Sequence, residues 1–219
     1  MSSISEENYI KAIFKISREM KTEVTTSILS EHLSTKASSV TDMIQKLAGK
    51  NLVNYVKYQG VSLTPEGERI AVKIVRKHRL WEFFLFETLG FKWDEIHEIA
   101  EELEHIQSDT LTEKLDEFLK HPSRDPHGDP IPDVNGHFPE TRSVPLAMLG
   151  IGTRARVGGL QDKSPAFLVY LDKVDIKPGS EIEISDCNAF DGSLDLKIDD
   201  AKTVHLSRQA ALNILMNQE

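Results

Sequence analysis

The sequence predicts a mainly α-helical protein with a C-terminal all-β domain. Apolar residues recur at helical spacing through most of residues 1–120, which is the pattern of amphipathic helices. From Ser143 onward, short alternating apolar and polar runs are separated by Gly and Pro, as in a small antiparallel sheet. The stretch 121–139 between these parts holds five Pro and two Gly, which indicates a linker or an ordered loop. We therefore expect three domains, at residues 1–72, 73–141 and 142–219.

Composition restricts the protein to a few classes. Its 219 residues, 39% of them hydrophobic, are enough for one to three domains with a buried core. No apolar run approaches the roughly 20 residues of a membrane helix, and the N-terminus lacks the basic and apolar regions of a secretory signal. The single cysteine, Cys187, excludes an internal disulfide and a multi-cysteine zinc site. These features favour the cytoplasm and give no reason to expect a membrane partner.

Charge is distributed unevenly along the chain. Residues 1–80 hold 13 Lys and Arg against 8 Asp and Glu, whereas residues 81–219 hold 13 against 27. The first part is therefore basic and the second acidic, although the whole chain has a net charge of −9. A basic N-terminal part suits the binding of phosphates, and an acidic C-terminal part suits the binding of cations.

The basic part begins with three predicted helices. Periodicity places them at Ser5–Met20, Thr26–Leu33 and Ala37–Leu47, with a tight turn between the last two. Two short helices joined in this way are typical of a helix-turn-helix. Two predicted strands follow within Leu52–Leu63, around Gln59–Gly60, and complete a winged helix-turn-helix.

The third helix presents small polar side chains at its N-terminal end, which allow a helix to enter the major groove of DNA. Candidate contacts to bases and phosphates are Lys36, Ser38, Ser39, Thr41, Asp42 and Gln45. Lys46 and, at the tip of the wing, Lys57 are better placed for phosphates. The alternative is a small helical bundle that does not bind DNA.

One acidic stretch, Glu95–Asp109, carries the strongest sign of a metal site. We predict a single helix, in which an apolar stripe lies beside a stripe formed by His97, Glu101, Glu104 and His105. Carboxylates and imidazoles on the flank of a buried face are costly unless they are paired or bind a cation. Nitrogen and oxygen donors of this kind suit Mn, Fe, Zn, Ni or Co. An ordinary acidic helix with two incidental His is the alternative.

A long helix from Pro65 to Leu89 is predicted before this stretch. His78 falls on its apolar face and Glu82 follows one turn later, so the pair is either structural or part of the metal site. The run Leu80–Phe86 is too apolar for the surface of a monomer, and we predict that part of it lies in the core and part in a subunit interface.

The Pro-rich loop contains the sequence DPHGDPIP. Its Asp125 and His127 are two residues apart and would add oxygen and nitrogen donors to a metal. A spacer with a chance His explains the same residues equally well.

The C-terminal part is predicted to be a small barrel of the SH3 type. Alternating runs predict five strands, at 153–157, 166–171, 181–185, 193–198 and 202–206. A terminal helix is expected over Ser207–Met216.

This order of elements, with the motifs KHRLWEFF, EIHEIAEELEHIQSD and DPHGDPIP, closely resembles the diphtheria toxin repressor family. The resemblance covers nearly the whole chain and is strongest through Pro132. It implies a bacterial regulator that binds DNA as a dimer when loaded with Mn²⁺ or Fe²⁺, with a C-terminal SH3-like or FeoA-like domain.

The resemblance also implies metal ligands. The family's core motif and its neighbouring site match Glu101, Glu104, His105, His78, Glu82 and His97. The manganese-responsive branch would add Asp125, His127 and, from the barrel, Asp162. Its N-terminal ligand position falls on Asn8.

The chain departs from the family pattern at Asn8 and Lys11, and from the iron-type members alone at Glu101. Asn8 stands where members usually carry Asp or Met, and it offers a neutral amide oxygen. Lys11 occupies a position that is acidic in some manganese members, which argues against a two-metal cluster of that type. Glu101 replaces the Cys of iron-type members. Oxygen and nitrogen donors without sulfur favour Mn²⁺, with Fe²⁺ as the alternative and Zn²⁺, Co²⁺ or Ni²⁺ as substitutes in vitro.

The predicted function is therefore that of a repressor, not an enzyme. A homodimer would bind double-stranded operator DNA when metal fixes the first helix, and would control genes of metal uptake and homeostasis. Two alternatives remain at this stage. One is a DNA-binding regulator whose metal is structural and whose signal is different. The other is a metal-dependent hydrolase, against which the sequence offers no nucleophile or general-base motif.

Overall fold

The computed structural model describes residues 3–20, 23–56, 59–140 and 143–217, and within the first range the side chains of residues 3–18. The chain divides into two compact units. The first unit comprises Met1–His78, Glu101–Thr112 and Pro132–His137. The second comprises Arg79–Ala100, Glu113–Ile131 and Phe138–Glu219.

The first unit begins with a winged helix-turn-helix, as predicted. Its helices are α1 (Ile4–Met20), α2 (Thr26–His32) and α3 (Ala37–Gly49), and its wing consists of the antiparallel strands β1 (Val53–Val56) and β2 (Gly60–Leu63). The helices form because each has an apolar face at helical spacing. These faces are buried together and make a small core: Ile10, Ile13, Phe14, Leu29, Val40, Ile44 and Leu47.

Three further helices are α4 (Pro65–Glu87), α5 (Ile96–Leu103) and α6 (Asp109–Phe118). The hydroxyl oxygen of Thr64 accepts the backbone N–H of Gly67 at 3.1 Å and caps the start of α4. A Cβ at Gly67 would lie 2.0 Å from the carbonyl oxygen of Leu52, so only glycine allows α4 to begin so close to the wing.

The prediction of one helix through Asp109 is wrong, because α5 ends at Leu103. Glu104 and His105 lie in the turn that follows. Glu104 is fully buried there, and its carboxylate contacts the buried ammonium group of Lys11. Pairing a buried carboxylate with a cation outweighs the weak local preference for continuing a helix.

The second unit contains a six-stranded antiparallel sheet with the order β3-β8-β4-β5-β6-β7. The strands are β3 (Ser143–Pro145), β4 (Arg154–Leu160), β5 (Glu181–Cys187), β6 (Leu194–Ile198), β7 (Lys202–Leu206) and β8 (Ile214–Asn217). Alternate residues face its core, which includes Val157, Ile182, Ile184, Leu196, Leu206 and Met216. The expected β-sheet domain with a terminal helix is thereby confirmed, and one unpredicted helix is added to it.

Two elements of this sheet domain differ from the prediction. The run 166–171 is helical and lies in α7 (Pro165–Val174), since proline starts the helix and Leu168 and Leu171 are buried at helical spacing. The expected terminal helix is limited to α8 (Arg208–Leu212), and β8 takes up the residues after it. No helix within the described ranges is long and apolar enough to cross a membrane.

Candidate metal centres

Five residues of the first unit form what we call the first cluster: Lys11, His78, Glu101, Glu104 and His105. They come from α1, α4, α5 and the turn after α5. His78 Nδ1 lies 2.7 Å from Glu104 Oε2, and His105 Nδ1 lies 2.7 Å from Glu7 Oε2. Carboxylates that hold imidazole rings in this way fix the orientation of the rings.

Lys11 supplies a positive charge inside the first cluster. Its Nζ lies 2.6 Å from Glu101 Oε1 and 2.5 Å from Glu104 Oε2, and the residue is 4% exposed. Burial alone would raise the pKa of Glu101, but the charge and hydrogen bond of Lys11 lower this pKa below its ordinary value. Lys11 departs from the family pattern, but no feature of the sequence indicated that it contacts the carboxylates.

Two buried acceptors of the first unit lack a hydrogen-bond partner within the part of the chain that the structure describes. They are Glu104 Oε1 and the amide oxygen Oδ1 of Asn8. His105 Nε2 lies 3.8 Å from Glu104 Oε1, and two ligands of one divalent ion lie roughly 3 to 4.4 Å apart. Buried acceptors without partners are costly, so this side of the first cluster fits a cation.

Three residues of the second unit form the second cluster: Glu82, Asp125 and His127. One donor atom from each lies within 4.8 Å of the others, and all three residues are buried. Glu82 Oε2 is 3.7 Å from His127 Nδ1, while Glu82 Oε1 is 3.2 Å from His97 Nδ1. Two carboxylates and an imidazole suit Mn²⁺, Fe²⁺ or Zn²⁺, so the donor set of the second cluster also fits a divalent metal.

The loop that carries Asp125 and His127 is held tightly against β4. Asp125 Oδ1 accepts the backbone N–H groups of His127 and Asp129, each at 2.9 Å. Gly128 has φ +85°, and a Cβ there would lie 2.0 Å from the carbonyl oxygen of Gly158. These constraints place the two donors on a rigid backbone, as a metal site requires.

Electrostatics in the second cluster favour a cation. Burial, together with the charges of Asp129 and Glu82, raises the pKa of Asp125 to about 7. Burial alone would lower the pKa of His127, but Glu82 and Asp125 raise it. Crowded carboxylates in a dry interior repel one another, and a divalent ion relieves that repulsion.

Positive side chains beside the second cluster balance only part of the negative charge of its carboxylates. Arg79 Nε lies 3.7 Å from Asp125 Oδ2, and Lys163 forms a salt bridge with Asp129. Burial would raise the pKa of Asp129, but Lys163 and Arg79 lower it. Sequence patterns did not identify Asp129 or Lys163, because nothing in their spacing distinguishes them from ordinary loop charges.

Asp162, the expected barrel ligand, is not a member of the second cluster among the residues that the structure describes. Its Oδ1 accepts the backbone N–H of Ser164 at 2.8 Å, just before α7. Glu7, in contrast, contacts a member of the first cluster, although it was predicted only as a negative charge near the start of the first helix. It binds His105 and, at 2.8 Å through Oε1, Gln107.

The predicted DNA-reading face lies along α3. Its exposed side chains include Lys36, Ser38, Ser39, Asp42, Gln45 and Lys46. Thr41 is half-buried, and its hydroxyl donates to the carbonyl of Ala37 at 2.9 Å. Lys57, the predicted phosphate contact of the wing, lies outside the described residues.

A buried carboxylate joins α1 to α3. Glu6 is 1% exposed, and its Oε1 lies 2.7 Å from Lys50 Nζ and 3.1 Å from Lys46 Nζ. The hydrogen bond with Lys50 is the main reason that the pKa of Glu6 falls to about 2. Glu6 therefore attaches α3, which we call the recognition helix, to α1, the helix that carries Lys11 and Glu7.

Three families describe consecutive parts of the chain. Residues 1–61 match the family described as iron dependent repressor, N-terminal DNA binding domain. Residues 64–133 match iron dependent repressor, metal binding and dimerisation domain. Residues 144–217 match the FeoA domain.

Known relatives agree with these matches. The diphtheria toxin repressor of Corynebacterium diphtheriae is 29% identical over 192 residues, which are 82% of this chain and 84% of that protein. A manganese-dependent transcriptional repressor solved in complex with manganese is 36% identical, covers 98% of this chain and 100% of its own, and has a TM-score of 0.81. ScaR with bound Zn²⁺ is 28% identical, covers 98% and 99%, and has a TM-score of 0.73. The chain belongs to the diphtheria toxin repressor family of metal-dependent transcriptional repressors, which regulate genes and are not enzymes.

Proposed function

We propose that this protein is a cytoplasmic repressor that binds operator DNA as a homodimer when loaded with Mn²⁺, and that it controls genes of metal uptake and homeostasis. The observation that carries this proposal is the double attachment of α1. Glu6 ties α1 to the recognition helix, and Lys11 and Glu7 tie it to the first cluster. Any change in how the cluster holds α1 is therefore transmitted to α3.

Contacts among the chain's own side chains determine how the first cluster is coupled to α1. Glu7 orients the ring of His105, and Glu104 divides its two oxygens between Lys11 and the side facing His105. A bound divalent cation supplies positive charge that stabilises these donors in one arrangement. Glu104 and His105, held by Lys11 and Glu7, would bind a divalent ion more tightly when α1 is fixed, and this differential affinity would favour the DNA-competent state.

Donor chemistry supports Mn²⁺ as the physiological metal, with Fe²⁺ as the alternative. Both clusters offer carboxylate and imidazole groups, and Cys187 lies exposed on β5, outside both clusters. Sites without thiolate favour harder cations. By the same affinity order, Zn²⁺, Co²⁺ and Ni²⁺ would occupy these donors in vitro.

We place the dimer interface on the aromatic surface of the second unit. Trp81 and Phe84 make an edge-to-face contact, with ring centroids 5.8 Å apart, and Phe84 also contacts Phe118 at 6.2 Å. Phe118 is 63% exposed. Exposed aromatic residues beside a half-buried apolar patch are typical of subunit interfaces.

The test is metal-dependent DNA binding by the full chain. A duplex is first selected from a random library with Mn²⁺ present, and its binding is then measured by fluorescence anisotropy under anaerobic conditions. We expect Mn²⁺ to raise affinity at least about tenfold over a chelator control, and Fe²⁺ to act at higher concentration. Equal affinity in chelator would reject a metal switch and favour a regulator whose metal is only structural.

A further inference from the structure

The ammonium group of Lys11 occupies the centre of the first cluster. It contacts Glu101 Oε1 at 2.6 Å and Glu104 Oε2 at 2.5 Å, and it lies 3.3 Å from His78 Nδ1. These groups are two carboxylates and an imidazole, the same donors that a divalent ion takes as ligands. Because Lys11 is 4% exposed, its charge is compensated by these groups rather than by water.

The other side of Glu104 has a different environment. Glu104 Oε1 is buried and has no hydrogen-bond partner among the described residues, and His105 Nε2 lies 3.8 Å from it. The amide oxygen of Asn8 is also buried without a partner in the described part of the chain. The first cluster therefore has one position filled by a lysine, whereas the acceptor Glu104 Oε1 remains available on the other side.

We propose that Lys11 is a built-in cation that holds the position between Glu101, Glu104 and His78. The first cluster accordingly binds one divalent ion fewer than it would with a carboxylate at residue 11. This inference rests on the proposed metal-responsive function. Displacing Lys11 would leave a buried ammonium without a counter-charge, which is strongly unfavourable.

The decisive experiment counts metal ions per chain. The full chain carrying Glu82→Gln and Asp125→Asn, which disable the second cluster, is stripped with chelator and dialysed against Mn²⁺. Bound Mn²⁺ is counted by elemental mass spectrometry. Adding Lys11→Glu to this background should raise the count by one, and electron paramagnetic resonance should show the broadening of two neighbouring Mn²⁺ ions.

The matched control is Lys15→Glu in the same background. Lys15 lies one turn further along α1, and its charge also acts on Glu101. Both substitutions change the net charge by −2, but Lys15→Glu should leave the count unchanged. An unchanged count in Lys11→Glu, or an equal gain in Lys15→Glu, would overturn the proposal.

A measurement on the unmodified protein avoids dependence on a variant that fails to fold. Lysines are labelled with an amine-reactive reagent, with chelator or with Mn²⁺, and the modified residues are mapped by mass spectrometry. Lys11 should stay unlabelled in both conditions, while the half-buried Lys15 reports on general reactivity. Labelling of Lys11 on addition of Mn²⁺ would show that metal displaces it. Neither measurement uses DNA, so both remain valid if metal proves not to control DNA binding.

Discussion

Glu104 is the residue on which the first cluster depends, because its two oxygens serve different partners. Oε2 binds Lys11 and His78, and Oε1 faces His105. We expect Glu104→Gln to weaken Mn²⁺ binding at this cluster by about tenfold or more and to abolish metal-dependent DNA binding. Calorimetric titration and anisotropy measure the two effects. Glu102→Gln, on the exposed surface of α5, is the control and should change neither.

Asp125 gives the protein a pH-dependent stability. Its pKa rises from 3.8 to about 7 on folding, mainly through burial, so the ionised form opposes folding above pH 7. This opposition fades as the pH falls and is absent below the ordinary pKa of 3.8. In chelator at pH 8, Asp125→Asn should raise Tm by roughly 2–4 °C, and the gain should shrink toward pH 5.

The exposed Asp94 provides a control for the loss of one negative charge. Asp94→Asn should leave Tm unchanged at both pH values. With saturating Mn²⁺ the order should reverse, since the wild type gains stability from the bound ion and Asp125→Asn gains less. A lower Tm for Asp125→Asn in chelator at pH 8 would contradict this account.

At the scale of elements, α1 joins two parts of the first unit through charged side chains. Glu6→Gln removes the buried carboxylate between α1 and the two lysines of α3 and its cap. We expect a loss of about 1–2 kcal/mol in the free energy of unfolding at pH 7, since both lysines are partly exposed and regain water. Urea unfolding measures this loss, and the exposed Glu31→Gln on α2 should show none.

The same substitution changes how stability responds to acid. The pKa of Glu6 is about 2 in the folded protein, against an ordinary value of 4.5. Its stabilisation is complete above pH 4.5 and is lost as the pH falls toward 2. The difference between wild type and Glu6→Gln should therefore shrink as the solution is acidified, and a difference at pH 2.5 as large as that at pH 7 would contradict the ion pair.

Sequence periodicity predicted the elements whose own apolar pattern decides their structure. α1, α3 and α4 are of this kind, because each buries one face at helical spacing. Periodicity did not predict the structure at Glu104. This residue lies after the end of the helix, where its carboxylate contacts Lys11, a residue distant in the sequence. The prediction was also wrong at residues 166–171, where the apolar run forms part of helix α7 and not a strand.

The sequence likewise pointed to some residues of the candidate site and missed the contacts of others. Residue types and spacing pointed to Glu101 and Glu104, and the Pro-rich loop pointed to Asp125 and His127. The contacts of Lys11 could not be predicted, because they join residues between 67 and 93 positions apart in the chain. Ligand assignments for all of these residues remain predictions until metal binding is measured.

At the scale of the whole molecule, function requires two copies of the chain. Phe118→Glu places a charge on the exposed aromatic surface, and we expect it to raise the dimer dissociation constant at least about tenfold. Sedimentation velocity measures the change. Phe190→Glu is the matched control, because Phe190 is 98% exposed and lies outside the proposed interface. A similar loss in both variants would exclude an interface at Phe118.

The ammonium group at residue 11 has a genetic consequence. Lysine codons become glutamate codons when only their first base changes from A to G. One transition mutation would therefore replace the ammonium group among Glu101, Glu104 and His78 with a further carboxylate. Descendants of this gene could adjust the metal concentration at which they respond in one mutational step, without any rearrangement of the backbone.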